Sequence, residues 1–167
     1  ADVVVRITGD CPLVDPELVD EVIRDFKAAK VDYYSNTNPP TYPDGLDVEV
    51  FTFKALEQAN QETRETFDRE HVTPYLRKSG KFKTAALQHN QNLSALRWTV
   101  DEPADFSVIE NVFLHYHPRI DFTWSEVLSL QSQQPELFNI NQHIIRNEGA
   151  RIGTGQKLWK RAKEIIP

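Results

Sequence analysis

Val5-Arg6-Ile7-Thr8-Gly9-Asp10-Cys11-Pro12 and Leu96-Arg97-Trp98-Thr99-Val100-Asp101-Glu102-Pro103 share one pattern: apolar-Arg-x-Thr-x-Asp-x-Pro. Each copy reads as a strand, then an aspartate where the strand ends, then a proline leading toward a helix. The first copy lies in Val3 to Thr8, a nearly continuous apolar run of the kind buried on both sides in a parallel sheet. Asp15-Pro16 then opens a helix, the aspartate capping free N–H groups and the proline having none to satisfy. Leu18, Val19, Val22, Ile23 and Phe26 form its apolar stripe.

The same alternation continues along the chain. Val31 to Tyr34 reads as a short strand, and Asn36 to Gly45 as a stiff loop with prolines at 39, 40 and 43. Leu46, Val48 and Val50 face one way on the next strand, and Asp47, Glu49 and Phe51 the other. Thr52 caps a helix to about Arg64, and Asp68 caps another, disturbed at Pro74 and stopped near Gly80. Phe82 to Leu87 and Leu93 to Val100 are predicted strands. Pro103 to Tyr116 is a predicted helix burying Phe106, Ile109, Val112 and Phe113. Thr123 with Glu126 is a capping box, and Asn141 to Asn147 a short helix. This order predicts an α/β domain, three-layered with a largely parallel sheet, over residues 1–147. Residues 148–155 hold three of the six glycines and read as a linker, and residues 156–167 as an amphipathic helix.

Composition narrows the function. Nineteen Lys and Arg against 25 Asp and Glu leave a net charge of −6, against a general nucleic-acid or anionic-membrane binder. No apolar run reaches the ~20 residues that span a bilayer. The single cysteine, Cys11, excludes a disulfide framework and a multi-cysteine zinc site. With no secretory signal, the cytoplasm is the expected location. The chain has no methionine and places a core-type strand two residues from Ala1. The expectation is a domain lacking its front, whose exposed strand edges favour a homo-oligomer.

In open α/β sheets, ligands bind outside the carboxyl ends of the strands. Asp10 and Asp101, each where a strand ends, would there face one another. Two hard oxygen ligands with room for water suit Mg²⁺, which takes one or two carboxylates plus substrate phosphates. Either aspartate alone reads as a helix cap; the pair together favours the metal. Neither G-x-G-x-x-G nor G-x-x-x-x-G-K-[ST] occurs, and Arg6 and Arg97, inside strands, read as structural.

VRITGDCPLVDPELVDEVI (5–23), YSN (34–36), TYPDGLDVEVF (41–51), REHVTPYL (69–76) and LRWTVDEPADF (96–106) are together similar to the cytidylyltransferase family of spore coat polysaccharide biosynthesis protein F. Its members are relatives of the synthetases that make CMP-activated acidic sugars. The resemblance covers about residues 1–147. It implies a Rossmann-like nucleotide-diphospho-sugar transferase fold, N-terminally incomplete, because members open with a phosphate-binding loop of the type RxGSxRLPGK. It also implies CTP and a sugar as substrates, a CMP-sugar as product, and Asp10 and Asp101 as the Mg²⁺ positions. A fragment without that loop is expected to be inactive or nearly so.

Asp44, Asp47 and Glu49 fall in the motif that, by this resemblance, lines the sugar side of the cleft. Asp47 and Glu49 read equally as a solvated strand face. Ser35 and Asn36 either touch substrate or start the loop. Arg69 and His71 are expected to open a helix whose N-terminus favours anions. His71 is a candidate general base or sugar contact, or a histidine bonded within the fold. GQKLWKRAKEIIP (155–167) resembles the opening helix of class III aminotransferases of the glutamate-1-semialdehyde type, which implies a fused second domain; a docking helix is the alternative. Two other readings of the whole remain: a glycosyltransferase of similar fold using a nucleotide-sugar donor, and a non-catalytic sugar-binding or assembly module.

Overall fold

The computed structural model describes residues 1–146, so the expected linker at 148–155 and helix at 156–167 lie outside the described residues. Four strands, β1 (Val3–Arg6), β2 (Tyr33–Ser35), β3 (Glu49–Thr52) and β4 (Thr84–Ala86), form one sheet in the order β1-β3-β2-β4. Around it lie α1 (Pro16–Ala29), α2 (Phe53–Glu62), α3 (Thr66–His71), α4 (Pro74–Lys78), α5 (Pro103–Tyr116) and α6 (Trp124–Gln133).

The alternation on β3 sets the layers. Val48 and Val50 pack with α1 (Leu18, Val22, Phe26), α5 (Val108, Ile109, Val112) and α6 (Val127, Leu130) in the main core. On the other face, Phe51 and Tyr33 stack at 6.3 Å over Ala55 and Ala59 of α2 and Leu76 of α4. Helices therefore cover both faces, as the period-2 pattern requires. Asp15 caps α1 as expected: one oxygen accepts from Glu17 N (2.8 Å) and Leu18 N (3.3 Å). Its other oxygen takes Trp124 N at 2.9 Å, so a single carboxylate ties the starts of α1 and α6 together.

Several expectations need correction. The sheet is mixed: β1–β3 and β2–β3 are antiparallel, and only β2–β4 is parallel. β1 is outermost and pairs on one side only, so Val3 and Val5 are 36 % and 39 % exposed rather than buried. Residues 93–96 form a turn closed by Leu96 N to Leu93 O (2.9 Å), and residues 97–100 join no strand ladder beyond an isolated parallel bridge between Arg97 and Asp44. Their polar backbone groups pair instead with the proline-rich loop and with Asp10, through Asp44 N to Leu96 O (2.9 Å), Trp98 N to Asp44 O (2.7 Å) and Val100 N to Asp10 O (2.9 Å). On α5 the buried stripe is Asp105, Val108, Ile109 and Val112; Phe106 points out, 58 % exposed, and Phe113 is also exposed. Asp68 does not cap a helix. The chain turns at Val72 (φ 68°) before Pro74, so Arg69 and His71 sit in the last turn of a short α3, not at a helix N-terminus.

Trp98, fully buried, is the wedge of the main core, its Nε1 donating to Gln131 Oε1 at 2.8 Å. Gly45 (φ +104°) lets the loop pass against it; a Cβ there would lie 2.5 Å from the Trp98 carbonyl carbon and 2.6 Å from Thr99 N. Gly45→Ala combines backbone strain with that clash and is expected to cost about 3 kcal/mol. Gly80 has φ +71° but open space around it, so Gly80→Ala should cost about 1 kcal/mol. Urea unfolding of the two variants checks the difference. Equal losses would mean that the Trp98 contact contributes nothing.

Candidate active site

Two backbone hydrogen bonds bring the repeated motifs together. The Asp10 carbonyl accepts from Val100 N (2.9 Å) and from Thr99 Oγ1 (3.1 Å), so Asp10 and Asp101 leave adjacent chain segments at one rim of the domain. Around Asp10 the turn is tight: Cys11 N donates to Thr8 O, and Thr8 Oγ1 lies 3.3 Å from Cys11 Sγ. Burial, with the Asp10 charge adding, pushes the Cys11 thiol up to about 11, so it acts as a packed side chain and not as a nucleophile.

Behind that rim sits Arg97, buried in the domain. Its Nε and Nη2 grip both oxygens of Asp105 at 2.8 and 2.7 Å, a bidentate fork. The same Nη2 donates to Asp101 Oδ2 at 3.0 Å, and Nη1 reaches Asp44 Oδ2 at 3.3 Å. Asp105 is wholly buried and also accepts from Asp101 N (3.1 Å), Glu102 N (3.0 Å) and Asn141 Nδ2 (2.9 Å). Burial alone would raise its pKa; the bonds from Arg97, Asn141 and the two amides outweigh it and hold the carboxyl below its ordinary value. A second guanidinium, Arg146, closes the other side: Nη2 lies 2.7 and 2.9 Å from the Asp47 oxygens, and Nε 3.4 Å from Asp44 Oδ1.

The expected site residues divide by this geometry. Arg97 joins Asp101 to Asp44 and Arg146 joins Asp44 to Asp47, while Asp10 meets this rim through its backbone carbonyl. Ser35 and Asn36 are buried and engaged inside the fold. The Asn36 amide donates to Leu46 O (2.7 Å) and its oxygen accepts from Val48 N (2.9 Å), continuing the β2–β3 pairing with a side chain. Ser35 Oγ accepts from Thr37. Glu49, on the same strand face as Asp47, is also buried; its oxygens are taken by Arg6 (2.6 Å), Thr73 Oγ1 (2.8 Å) and the Tyr33 hydroxyl. Arg69 is exposed, with Nη1 3.4 Å from Asn60 O, and His71 leans on Phe67 at 4.3 Å. Neither has a bond to the Asp10–Asp101 rim.

Sequence reasoning missed Asp105, Asn141 and Arg146. Asp105 did carry a signal, an acid at the third helical position after Glu102-Pro103, able to bond the free amides there. Arg146 carried none, lying about a hundred residues from its partners.

Oxygen donors at the rim suit a hard divalent cation. Asp101 is 56 % exposed at the side chain, and among the described residues only Oδ2 accepts a hydrogen bond. Among the same residues no group of three or more His, Cys, Asp or Glu is arranged to hold a metal ion. Two carboxylates completed by substrate oxygens and water fit Mg²⁺, which seldom takes an all-protein cage.

Burial pushes the Asp44 carboxyl up from its ordinary 3.8 to about 6, against the pull of Arg146 and Arg97 and with Asp47 and Asp101 adding to the rise. A folded-state pKa above the unfolded one contributes stability that is full below about pH 4 and lost as pH rises through about 6. Relative to Asp44→Asn, the native chain should lose roughly 2–3 kcal/mol between pH 4 and 7. Urea midpoints of both proteins across that range check it, and parallel curves would count against a buried, displaced Asp44.

A family model described as cytidylyltransferase matches residues 1–120. The chain is 35 % identical over 146 residues to an uncharacterized protein of Methanocaldococcus jannaschii, covering 86 % of this chain and 58 % of that one. It is 29 % identical over 143 residues to the spore coat polysaccharide biosynthesis protein SpsF of Bacillus subtilis, covering 80 % and 56 %. A solved cytidylyltransferase from Leptospira borgpetersenii superposes with a TM-score of 0.78 at 26 % identity, over 82 % of this chain and 58 % of that one. The chain therefore spans a little over half the length of these relatives. Among the described residues, no helix is long and apolar enough to cross a membrane. With its helices on both sheet faces and its two aspartate motifs meeting at one rim, the chain belongs to the cytidylyltransferase family.

Proposed function

We propose that this chain supplies part of the active site of an enzyme that makes a CMP-activated sugar from CTP. The observation that carries the reading is the junction of the two echoed motifs, where Val100 N meets Asp10 O and the Asp10 and Asp101 segments share a rim. Family membership and the likeness to SpsF support it.

In the proposed reaction a sugar hydroxyl oxygen bonds to the α-phosphorus of CTP. The bond from that phosphorus to the β-bridging oxygen breaks, pyrophosphate leaves, and the hydroxyl proton passes to solvent. Asp10 and Asp101 are the residues that would hold Mg²⁺, which when bound neutralises the charge accumulating on the phosphate oxygens. Protein side chains have little covalent chemistry to do, so fixed placement and charge dominate. Asp47, half-open at the rim, is the proposed acceptor for sugar hydroxyls, with Asp44 behind it. Ser35, Asn36 and Glu49 act by holding β2, β3 and the α3–α4 turn in register. No proton is routed through His71 or Arg69.

Turnover by this chain alone is expected to be slight, because no glycine-rich phosphate loop lies within it. The chain is mixed with CTP, Mg²⁺ and a panel of sugars, and pyrophosphate release is followed. In parallel, CMP binding is measured by calorimetry with and without Mg²⁺. CMP should bind more tightly with the ion, and Asp10→Asn or Asp101→Asn should each remove that gain, on the order of tenfold or more. Ion-independent binding, unchanged in both variants, would favour the non-catalytic module instead. Transfer of a sugar from a nucleotide-sugar donor to an acceptor would favour the glycosyltransferase reading.

A further inference from the structure

Asp105 lies too deep to touch a substrate, yet its bonds point at the rim. It is wholly buried, and five donors converge on its two oxygens. Two of them, the backbone amides of Asp101 and Glu102, fix the turn that carries Asp101. Two more come from Arg97, whose Nη2 also holds Asp101 Oδ2. The fifth is Asn141, whose amide nitrogen also reaches Arg97 O at 3.1 Å and so fastens the guanidinium's own backbone. Asp101 is thus gripped at its main chain by Asp105 and at its side chain by a group that Asp105 orients. A helix cap alone needs the amide bonds and has no use for the guanidinium relay. The relay reaches the exposed carboxylate and takes one of its oxygens.

We propose that Asp105 is a positioning residue for cation binding, holding the Asp101 carboxylate in one orientation through Arg97 and the 101–102 amides. The proposal rests on the reading of Asp10 and Asp101 as the pair that grips a divalent ion. A carboxylate free to rotate at an exposed turn would lose rotamer freedom on binding the ion; one already held has less to lose. Arg97 also draws charge from Asp101, so the pair sets how strongly the free oxygen binds as well as where it points.

The test uses the whole chain and Mn²⁺ alone as the probe, titrated into the millimolar range and followed by the loss of the free-ion electron paramagnetic resonance signal. Native protein should bind Mn²⁺, and Asp10→Asn should abolish binding. Asp105→Asn should weaken it 10- to 100-fold, and hydrogen exchange at the Asp101 and Glu102 amides should accelerate. Val112→Ala, in the main core and remote from these bonds, should lower stability and leave Mn²⁺ affinity unchanged. Because Asp105→Asn strands a buried guanidinium and can unfold the domain, the double variant Arg97→Gln/Asp105→Asn, with no buried charge on either partner, provides a second measurement. It too should bind Mn²⁺ 10- to 100-fold more weakly. If either folded variant binds as tightly as native protein, or Val112→Ala weakens binding equally, Asp105 is only a cap and the proposal falls alone. If native protein binds no Mn²⁺, the metal reading of Asp10 and Asp101 falls as well.

Discussion

The buried Arg97 guanidinium is the constraint on which the rest of this domain depends. A charge taken out of water costs several kcal/mol unless partners replace the solvent. Here three carboxylates do so. Asp105 takes the fork, while Asp44 and Asp101 take the remaining edges at 3.3 and 3.0 Å. Those three aspartates come from the proline-rich loop, from the turn before α5 and from α5 itself. Satisfying one buried cation therefore fixes the relative placement of three chain segments that share no strand ladder. The arrangement also explains why residues 93–100 need no strand partner. Their backbone is pinned by the loop, by Asp10 and, through Asn141, by the 3-10 turn at Asn139–Asn141.

The two carboxylates on β3 show how strand position sorts similar residues into different roles. Asp47 and Glu49 are two apart, hence on one face and about 7 Å from each other along the strand. Glu49 lies inside the sheet, opposite Arg6 in the β1–β3 register, and is enclosed by Tyr33 and Thr73. Burial, then the Glu49 charge, raises the Tyr33 hydroxyl pKa, keeping it a proton donor to that carboxylate. Asp47 precedes the strand, remains partly exposed and meets the Arg146 guanidinium. One is a buried strut and the other a rim group. That difference comes from where β3 begins and not from the residue type.

What the sequence made legible was whatever rests on local pattern. Periodicity placed α1, β3 and the capping box at Thr123 with Glu126, and the repeated apolar-Arg-x-Thr-x-Asp-x-Pro motif brought Asp10 and Asp101 to neighbouring segments. Apolar content alone misjudged burial, because Val3 and Val5 sit on a strand with one partner, and Phe106 and Phe113 flank the buried stripe of α5 rather than lie on it. Strand direction was misread for a similar reason: a run of β-branched residues does not encode which neighbour it will find. Arg97 was recognised as structural, but its partners were not, since charge pairing across fifty residues leaves no period in a sequence. Arg146, about a hundred residues from Asp47, is the extreme case.

The transfer reaction proposed for this site would ask its protein mainly for stillness. When the covalent chemistry belongs to the nucleotide and the sugar, rate comes from groups that need not reorganise as charge develops. Exposed acids at a turn are poor at this, because water and rotamer freedom both compete for them. The domain answers by placing the open carboxylates one bond away from a buried and fully satisfied network. Asp101 shares a guanidinium nitrogen with a wholly buried Asp105, and Asp47 is braced by Arg146, whose Nη1 also lies 3.4 Å from Tyr42 O. The cost of burying Arg97 and Asp105 is thereby tied to a property that an apolar core of equal volume could not provide: a fixed negative edge facing outward. On that argument the polar interior belongs to the site as much as to the fold, and hydrophobic replacement of the pair would give a domain that still packs but no longer aims its acids.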